Sequence, residues 1–195
     1  VLRMPAADYE SLVQRIAFTI SDCALLLHQL RFVKSPAEIK KIAMACEITS
    51  NAFLEIAQTS SPGESEIEIC RRMKIDLLER GADSIPYLVA GSGLGGYGSI
   101  IMGPTDRLLS DGDVLIIDTG TTYDGYFCDF DRNLAFGRIP DDTRKAHEVI
   151  FQATDAGFAA AHPGATTSDV WATMWKELEA GGALGNSVGR MGHGL

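Results

Sequence analysis

Gly112-Asp113-Val114-Leu115-Ile116-Ile117-Asp118-Thr119-Gly120, followed after Thr121-Thr122-Tyr123 by Asp124-Gly125-Tyr126-Phe127-Cys128-Asp129-Phe130-Asp131-Arg132, is the stretch on which the fold turns. Val114 to Ile117 is a short apolar run bounded by turn residues, as buried strands are. Asp-Gly favours a two-residue type I′ turn, so a tip at Asp124-Gly125 pairs Tyr123 with Tyr126 and carries the register outward along a hairpin spanning Thr121 to Ala135. In that register Asp118 faces Asp131 and Gly120 faces Asp129. Alternate residues of a strand share a face, so Asp118, Asp129 and Asp131 all point the same way. Like charges this close raise one another's pKa and destabilise a sheet, and alternation sends the neighbouring Arg132 to the opposite face. Two readings follow: a divalent cation neutralises the face, or the hairpin is a solvated edge whose acidic residues discourage pairing.

Working outward, Ile85 to Ala90 reads as a second buried strand. Helices flank this β region on both sides. Ser35-Pro36-Ala37-Glu38 combines a serine N-cap, a proline at the first helical position and a glutamate placed to close a capping box. Ile39, Ile42, Ala43, Cys46 and Phe53 are then expected on the buried face. Ser60-Ser61-Pro62-Gly63 breaks the chain before a helix that opens at Ser65, with Glu68 in the capping-box place, and ends at Gly81. Two further helices are expected from about Asp141 to Ala161 and from about Ser168 to Ala180. Nearer the start, Leu12, Val13, Ile16, Ile20, Ala24 and Leu27 recur at helical spacing, predicting one amphipathic helix from Asp8 to about Leu30. The pattern as a whole is that of an α+β domain with helices backing a mainly antiparallel sheet.

The chain has 195 residues, 46% of them hydrophobic and 22% charged, enough for a single sizeable core. Its formal charge of -9 excludes the basic face that nucleic-acid binding requires. No apolar run reaches the roughly 18 to 20 residues of a membrane span, and the opening lacks a secretory signal, so a cytoplasmic protein is expected. Cys23, Cys46, Cys70 and Cys128 lie far apart with no CxxC pair, which predicts free thiols. The chain opens on Val1 and stops inside the glycine-rich run Gly189 to Leu195, so it reads as an excerpt of a longer protein.

The segments Gly112 to Gly120 and Asp124 to Arg132 resemble the G-D-x-x-x-x-D-x-G and G-Y-x-x-D-x-T-R signature of the pita-bread metallohydrolases: Xaa-Pro dipeptidase and aminopeptidase, creatinase, and methionine aminopeptidase. Arg31 to Ile39 resembles the lead-in to the first helix of the family's catalytic domain. The resemblance thus covers about Arg31 to Leu195. It implies a pita-bread fold with a curved, mainly antiparallel sheet, incomplete at its C-terminus: residues 1–30 would be a linker helix after a further N-terminal domain, and 31–195 a partial catalytic domain. It also implies that Asp118 and Asp129 match the first two metal ligands and that His193, in Gly192-His193-Gly194, matches the third. Two glutamate ligands would follow Leu195. Two divalent ions, Mn, Co, Fe or Zn, and a homodimer are implied likewise.

Two positions depart from the family pattern. The histidine expected shortly before the G-D segment falls at Ile100 or Ile101, counting back from Pro104-Thr105-Asp106-Arg107. An apolar residue there cannot relay a proton. Asp131 replaces the usual threonine and is read as a hydrogen-bond acceptor behind the ligands. The implied activity is hydrolysis of an amide-type C–N bond in a small Xaa-Pro peptide. Hydrolysis of a small amidine or cyclic compound, and a non-catalytic binding module, are the alternatives. Gly91-Ser92-Gly93-Leu94-Gly95-Gly96 matches a dinucleotide fingerprint but opens no helix, so it reads as a flexible substrate-side loop. His28, His147 and His162 read as ordinary helix residues, and Trp171 and Trp175, four apart, as a packing pair.

Overall fold

The computed structural model describes residues 4–17, 19–98, 102–182 and 191–193. The chain divides into two compact units, Val1–Ile39 and Lys40–Leu195. In the first unit the single helix expected from Asp8 to Leu30 is two, α1 (Ala6–Arg15) and α2 (Ala24–Phe32). Between them the Asp22 carboxylate accepts the Ala24 N–H at 2.8 Å, a short-range bond that competes with helix continuation and caps α2 instead. No described residue of α1 or α2 is buried.

The second unit is built on a four-stranded antiparallel sheet. Its strands are β1 (Ser84–Leu94), β2 (Asp113–Tyr123), β3 (Tyr126–Phe127) and β4 (Phe130–Ala135), with β2 paired to each of the others. The helices are α3 (Pro36–Thr59, whose first turn falls in the first unit), α4 (Glu66–Glu79), α5 (Asp141–Ala160) and α6 (Thr167–Ala180). Both expected capping boxes form: Ser35 Oγ accepts the Glu38 N–H while Glu38 accepts that of Ser35, and Ser65 and Glu68 do the same.

Ile48, Ala52, Phe53 and Ile56 of α3 and Ile69, Cys70, Met73 and Leu77 of α4 pack on Leu88, Ala90, Leu115 and Ile117 of the sheet. That core differs in one respect from the expected one. Of the apolar positions predicted for α3, Ile39 is 56% exposed and Ala43 is exposed, whereas Ala45, Ile48, Thr49 and Ile56 are buried with Phe53. The stripe that packs is rotated by about a quarter of a turn, because the sheet it meets sets which face is covered.

Opposite the helical core, β2 presents Val114, Ile116, Asp118 and Gly120 on its other face. Val114 and Ile116 are buried there too, so the strand enters between two covered faces before its carboxylate emerges.

Candidate functional site

The turn at Asp124-Gly125 has the left-handed geometry expected, with φ 49° and 79°, and pairs Tyr123 with Tyr126. Lys41 of α3 ties the tip down, its Nζ 2.7 Å from Asp124 Oδ2 and 5.2 Å above the Tyr126 ring. From there the register runs as expected, with Asp118 opposite Asp131 and Val114 opposite Ala135. The expected Gly120–Asp129 pair is missing from the ladder: Cys128 and Asp129 stand outside it, between β3 and β4. Gly120 lies beneath this gap, packed so closely under the Cys128 carbonyl and the Phe127 ring that a Cβ would collide with both.

Freed from the ladder, Asp129 turns its two oxygens to different partners. Oδ1 accepts a short hydrogen bond from the Tyr87 hydroxyl, and Oδ2 lies 3.1 Å from His193 Nε2. Tyr87 also interacts with Asp118, and His193 lies close enough to Asp118 to favour its charged form. Asp118, Asp129 and His193 therefore come to one place on the face away from the core, with Asp131 beside them.

The electrostatics are those of a face short of positive charge. Loss of hydration pushes the Asp118 carboxyl up, and the Asp129 charge adds to it; the Tyr87 hydrogen bond and His193 oppose them. Asp131 keeps part of its surface open to solvent, yet lost hydration and then the Asp118 charge push it up to about 6. Burial, followed by both aspartates, pushes the Tyr87 hydroxyl up, so it stays a donor. Arg132 relieves this face only in part: its charge opposes the rise at Asp131, but its guanidinium lies 4.9 Å over the Phe130 ring and donates to the Asp131 main-chain carbonyl, not to a carboxylate.

Tyr87 is the residue that sequence reasoning missed. It stands opposite Gly120 in the same unbroken β1–β2 register that sets Val89 opposite Asp118, so alternation turns it to the carboxylate face; the register shifts by one residue only before it, between Ser84 and Tyr87. The Thr119 hydroxyl, donating to the Tyr87 carbonyl at 2.8 Å, holds that register.

A second buried network braces the approach to β2. Arg107 donates to both Asp113 oxygens at 2.7 and 3.0 Å and to Ser92 Oγ at 2.7 Å. Ser92 in turn donates to Glu66, which also accepts from the Thr105 N–H and hydroxyl. Arg107 holds the Asp113 carboxyl below its usual range; burial works against the Glu66 charge, but these hydrogen bonds outweigh it and hold that carboxyl low as well. The two motif fragments Pro104 to Arg107 and Gly112-Asp113 are thus one structural unit.

The remaining predicted positions divide. Gly91 to Leu94 belong to β1, so the first half of the expected loop is strand, and the chain turns only at Gly95, whose φ is 66°. Ile100 and Ile101 lie outside the described residues. His28, His147 and His162 are exposed, and Trp171 and Trp175 stack at 5.7 Å. The cysteines are free thiols as expected. Among the described residues, no helix is long and apolar enough to cross a membrane. Nor, among them, does any group of three His, Cys, Asp or Glu side chains close into a metal-ligand shell.

Residues 40–195 match metallopeptidase family M24. An uncharacterized peptidase of Bacillus subtilis, YqhT, is 33% identical over 184 residues, which are 90% of this chain and 51% of that protein. The crystal structure of dipeptidase PepE from Mycobacterium ulcerans is similar, with a TM-score of 0.82 and 27% identity over 93% of this chain and 49% of that one. X-Pro aminopeptidase from Thermotoga maritima matches with a TM-score of 0.75 and 28% identity, covering 80% of this chain and 45% of that one. The chain spans about half the length of the relatives it matches, and its sheet and backing helices are about half of the pita-bread fold.

Proposed function

Because this chain belongs to metallopeptidase family M24, we propose that it supplies the front half of the active site of a metal-dependent hydrolase cleaving an amide-type C–N bond, with small Xaa-Pro peptides as substrates. The observation that carries this reading is Asp129 held between Tyr87 and His193, with Asp118 alongside. Two carboxylates and an imidazole on a face short of positive charge fit a divalent ion in donor chemistry, although three donors are a partial set. When bound, such an ion lowers the pKa of a coordinated water and polarises the carbonyl to be attacked.

The chain's own residues prepare that site. Asp118 is aimed by the central strand, and Asp129 by the gap in the ladder. Tyr87, donating to Asp129, orients its carboxylate so that the other oxygen, beside His193, would face a cation. His193 would bind through a neutral ring nitrogen. Asp131 adds negative charge beside Asp118 and would serve as a hydrogen-bond acceptor behind the ligands. In this reading two glutamates from the rest of the protein complete the cage, manganese, cobalt, iron and zinc are the eligible ions, and the protein is a cytoplasmic homodimer.

Metal analysis of the full-length protein, with and without Asp118→Asn, tests the reading. Occupancy should fall sharply in the variant; equal occupancy would reduce the hairpin carboxylates to surface charge. A screen of Xaa-Pro dipeptides against small amidines and cyclic compounds then decides the substrate. Ile100 and Ile101, where a proton-relaying histidine is expected, favour the second class. A protein with bound metal that leaves Xaa-Pro bonds intact would establish that alternative. A full sequence without the two glutamates would point instead to a non-catalytic binding module.

A further inference from the structure

On the face that carries Asp118, the rows next to the carboxylates have no side chain on β1. Gly91 stands opposite Ile116 and Gly93 opposite Val114, and β4 extends these two rows with Asn133 and Ala135. Ile116 and Val114 are nonetheless 2% and 6% exposed, although the helical core lies on the other face and the flanking glycines cannot cover them. The cover comes from the chain itself. Beyond β1 it folds back, with the Gly96 N–H donating to the Gly93 carbonyl at 3.3 Å. A Cβ on Gly93 would point out from the carboxylate face, and it would meet the Gly96 carbonyl oxygen at 2.3 Å and Tyr97 Cα at 3.7 Å. Tyr97 thus starts directly above this face, two rows from Asp118.

The turn that carries Tyr97 is fixed on both sides. The Gly95 N–H donates to the Gly112 carbonyl at 2.8 Å, just before β2, and the Thr143 hydroxyl of α5 donates to the Gly95 carbonyl at 2.7 Å. Tyr97 itself is half-buried. Lost hydration, followed by the Asp131 charge, pushes its hydroxyl up, and a hydrogen bond with Asn133 opposes them, in keeping with a ring that leads from β1 toward β4.

We propose that Tyr97 crosses β2 above Val114 and Ile116 as the end wall of the substrate cavity, a specificity-determining residue that limits how far a substrate extends along the sheet from Asp118 and Asp129. The assignment rests on the hydrolase reading and adds a size limit to it. Rows on one face of a strand are about 7 Å apart, and a tyrosine side chain spans about one such interval, so its hydroxyl end stops one row short of Asp118. That leaves room for about two extended residues on this side of the reacting bond. The bulk of the ring sets the limit, not its proton.

The test compares full-length wild type, Tyr97→Phe, Tyr97→Leu and Tyr97→Ala, with metal content measured for each. All are assayed on a compact substrate and on members of the same class lengthened at one end or the other by about three residues, or by an alkyl chain of equal reach. In wild type, lengthening at one end should lower kcat/KM about tenfold or more, chiefly through KM. Tyr97→Ala should remove that discrimination, and Tyr97→Leu, which still covers Ile116, should reduce it. Tyr97→Phe should keep it, because the ring remains. A merely structural role would lower turnover of compact and long substrates alike. The proposal is overturned if wild type accepts both lengthened substrates as readily as the compact one, or if Tyr97→Leu and Tyr97→Ala discriminate as wild type does. Bound metal and turnover of the compact substrate would leave the hydrolase reading standing in either case. A wild type with neither metal nor turnover would overturn that reading, and the wall with it.

Discussion

Replacing Gly120 with alanine puts a methyl group 2.1 Å from the Cys128 carbonyl oxygen and 2.4 and 2.7 Å from two carbons of the Phe127 ring. Non-bonded contacts to carbon settle near about 3.5–4.0 Å, so the gap in the hairpin must open by more than about 1 Å. Phe127 can swing, but the carbonyl is main chain, pinned by the Cys128 N–H donating to the Thr121 carbonyl at 3.1 Å. Gly120 lies outside the left-handed region, so the penalty is steric. Overpacking of this kind costs about 1–3 kcal/mol, and the immovable carbonyl puts Gly120→Ala at about 2–3 kcal/mol. In a domain of this size each kcal/mol moves Tm by about 2–4 °C, giving a loss of about 4–12 °C. The control is Gly96→Ala, where nothing lies within 4 Å of the added Cβ, and the change should stay within about 0.5 kcal/mol. Thermal melts followed by circular dichroism compare the three proteins. If Gly120→Ala melts with the wild type, the close packing that sets Asp129 outside the ladder is refuted.

Tyr87→Phe keeps the ring but removes the donor to Asp129, and divalent-ion affinity of the full-length protein should fall about 10- to 100-fold; calorimetric titration with Mn²⁺ showing no change would remove Tyr87 from the site. Asp113 is 1% exposed and its carboxyl is held low by Arg107, so the unfolded chain binds this proton more readily than the native one. Its stabilising contribution is complete above about pH 4 and is lost as pH falls through the lower native value. Urea midpoints of wild type and Arg107→Ala should therefore differ most at neutral pH and converge as pH falls below the usual carboxylate range; a constant difference would contradict this. Ser65→Ala removes the N-cap of α4 and should cost about 1 kcal/mol, read as a lower urea midpoint with an unchanged m-value.

Much of this protein is written in local signals. Asp124-Gly125 specifies its turn through backbone preferences of two residues, and the turn alone sets the register that places Asp118 opposite Asp131. Ser35 with Glu38 and Ser65 with Glu68 start their helices through bonds that span three residues. The negative face of the hairpin follows from alternation, and two of the three predicted ligands follow from that face. His193 was legible only through the segment around it, since nothing near it in sequence brings it to Asp129.

What tertiary structure alone decided lies where distant segments meet. The stripe of α3 that packs is chosen by the sheet beneath it, which is why Ala45, Ile48 and Thr49 are buried while Ile39 and Ala43 are exposed. The break between α1 and α2 overrode a good helical period because Asp22 satisfies the backbone more cheaply from outside the helix. Most consequential is the pairing of β1 with β2, together with the gap at Cys128 and Asp129. The first sets Tyr87 opposite Gly120 on the carboxylate face; the second releases Asp129 to meet it. Neither has a signature in composition or spacing, because Tyr87 and Asp129 lie 42 positions apart and only the pairing of distant strands brings them together.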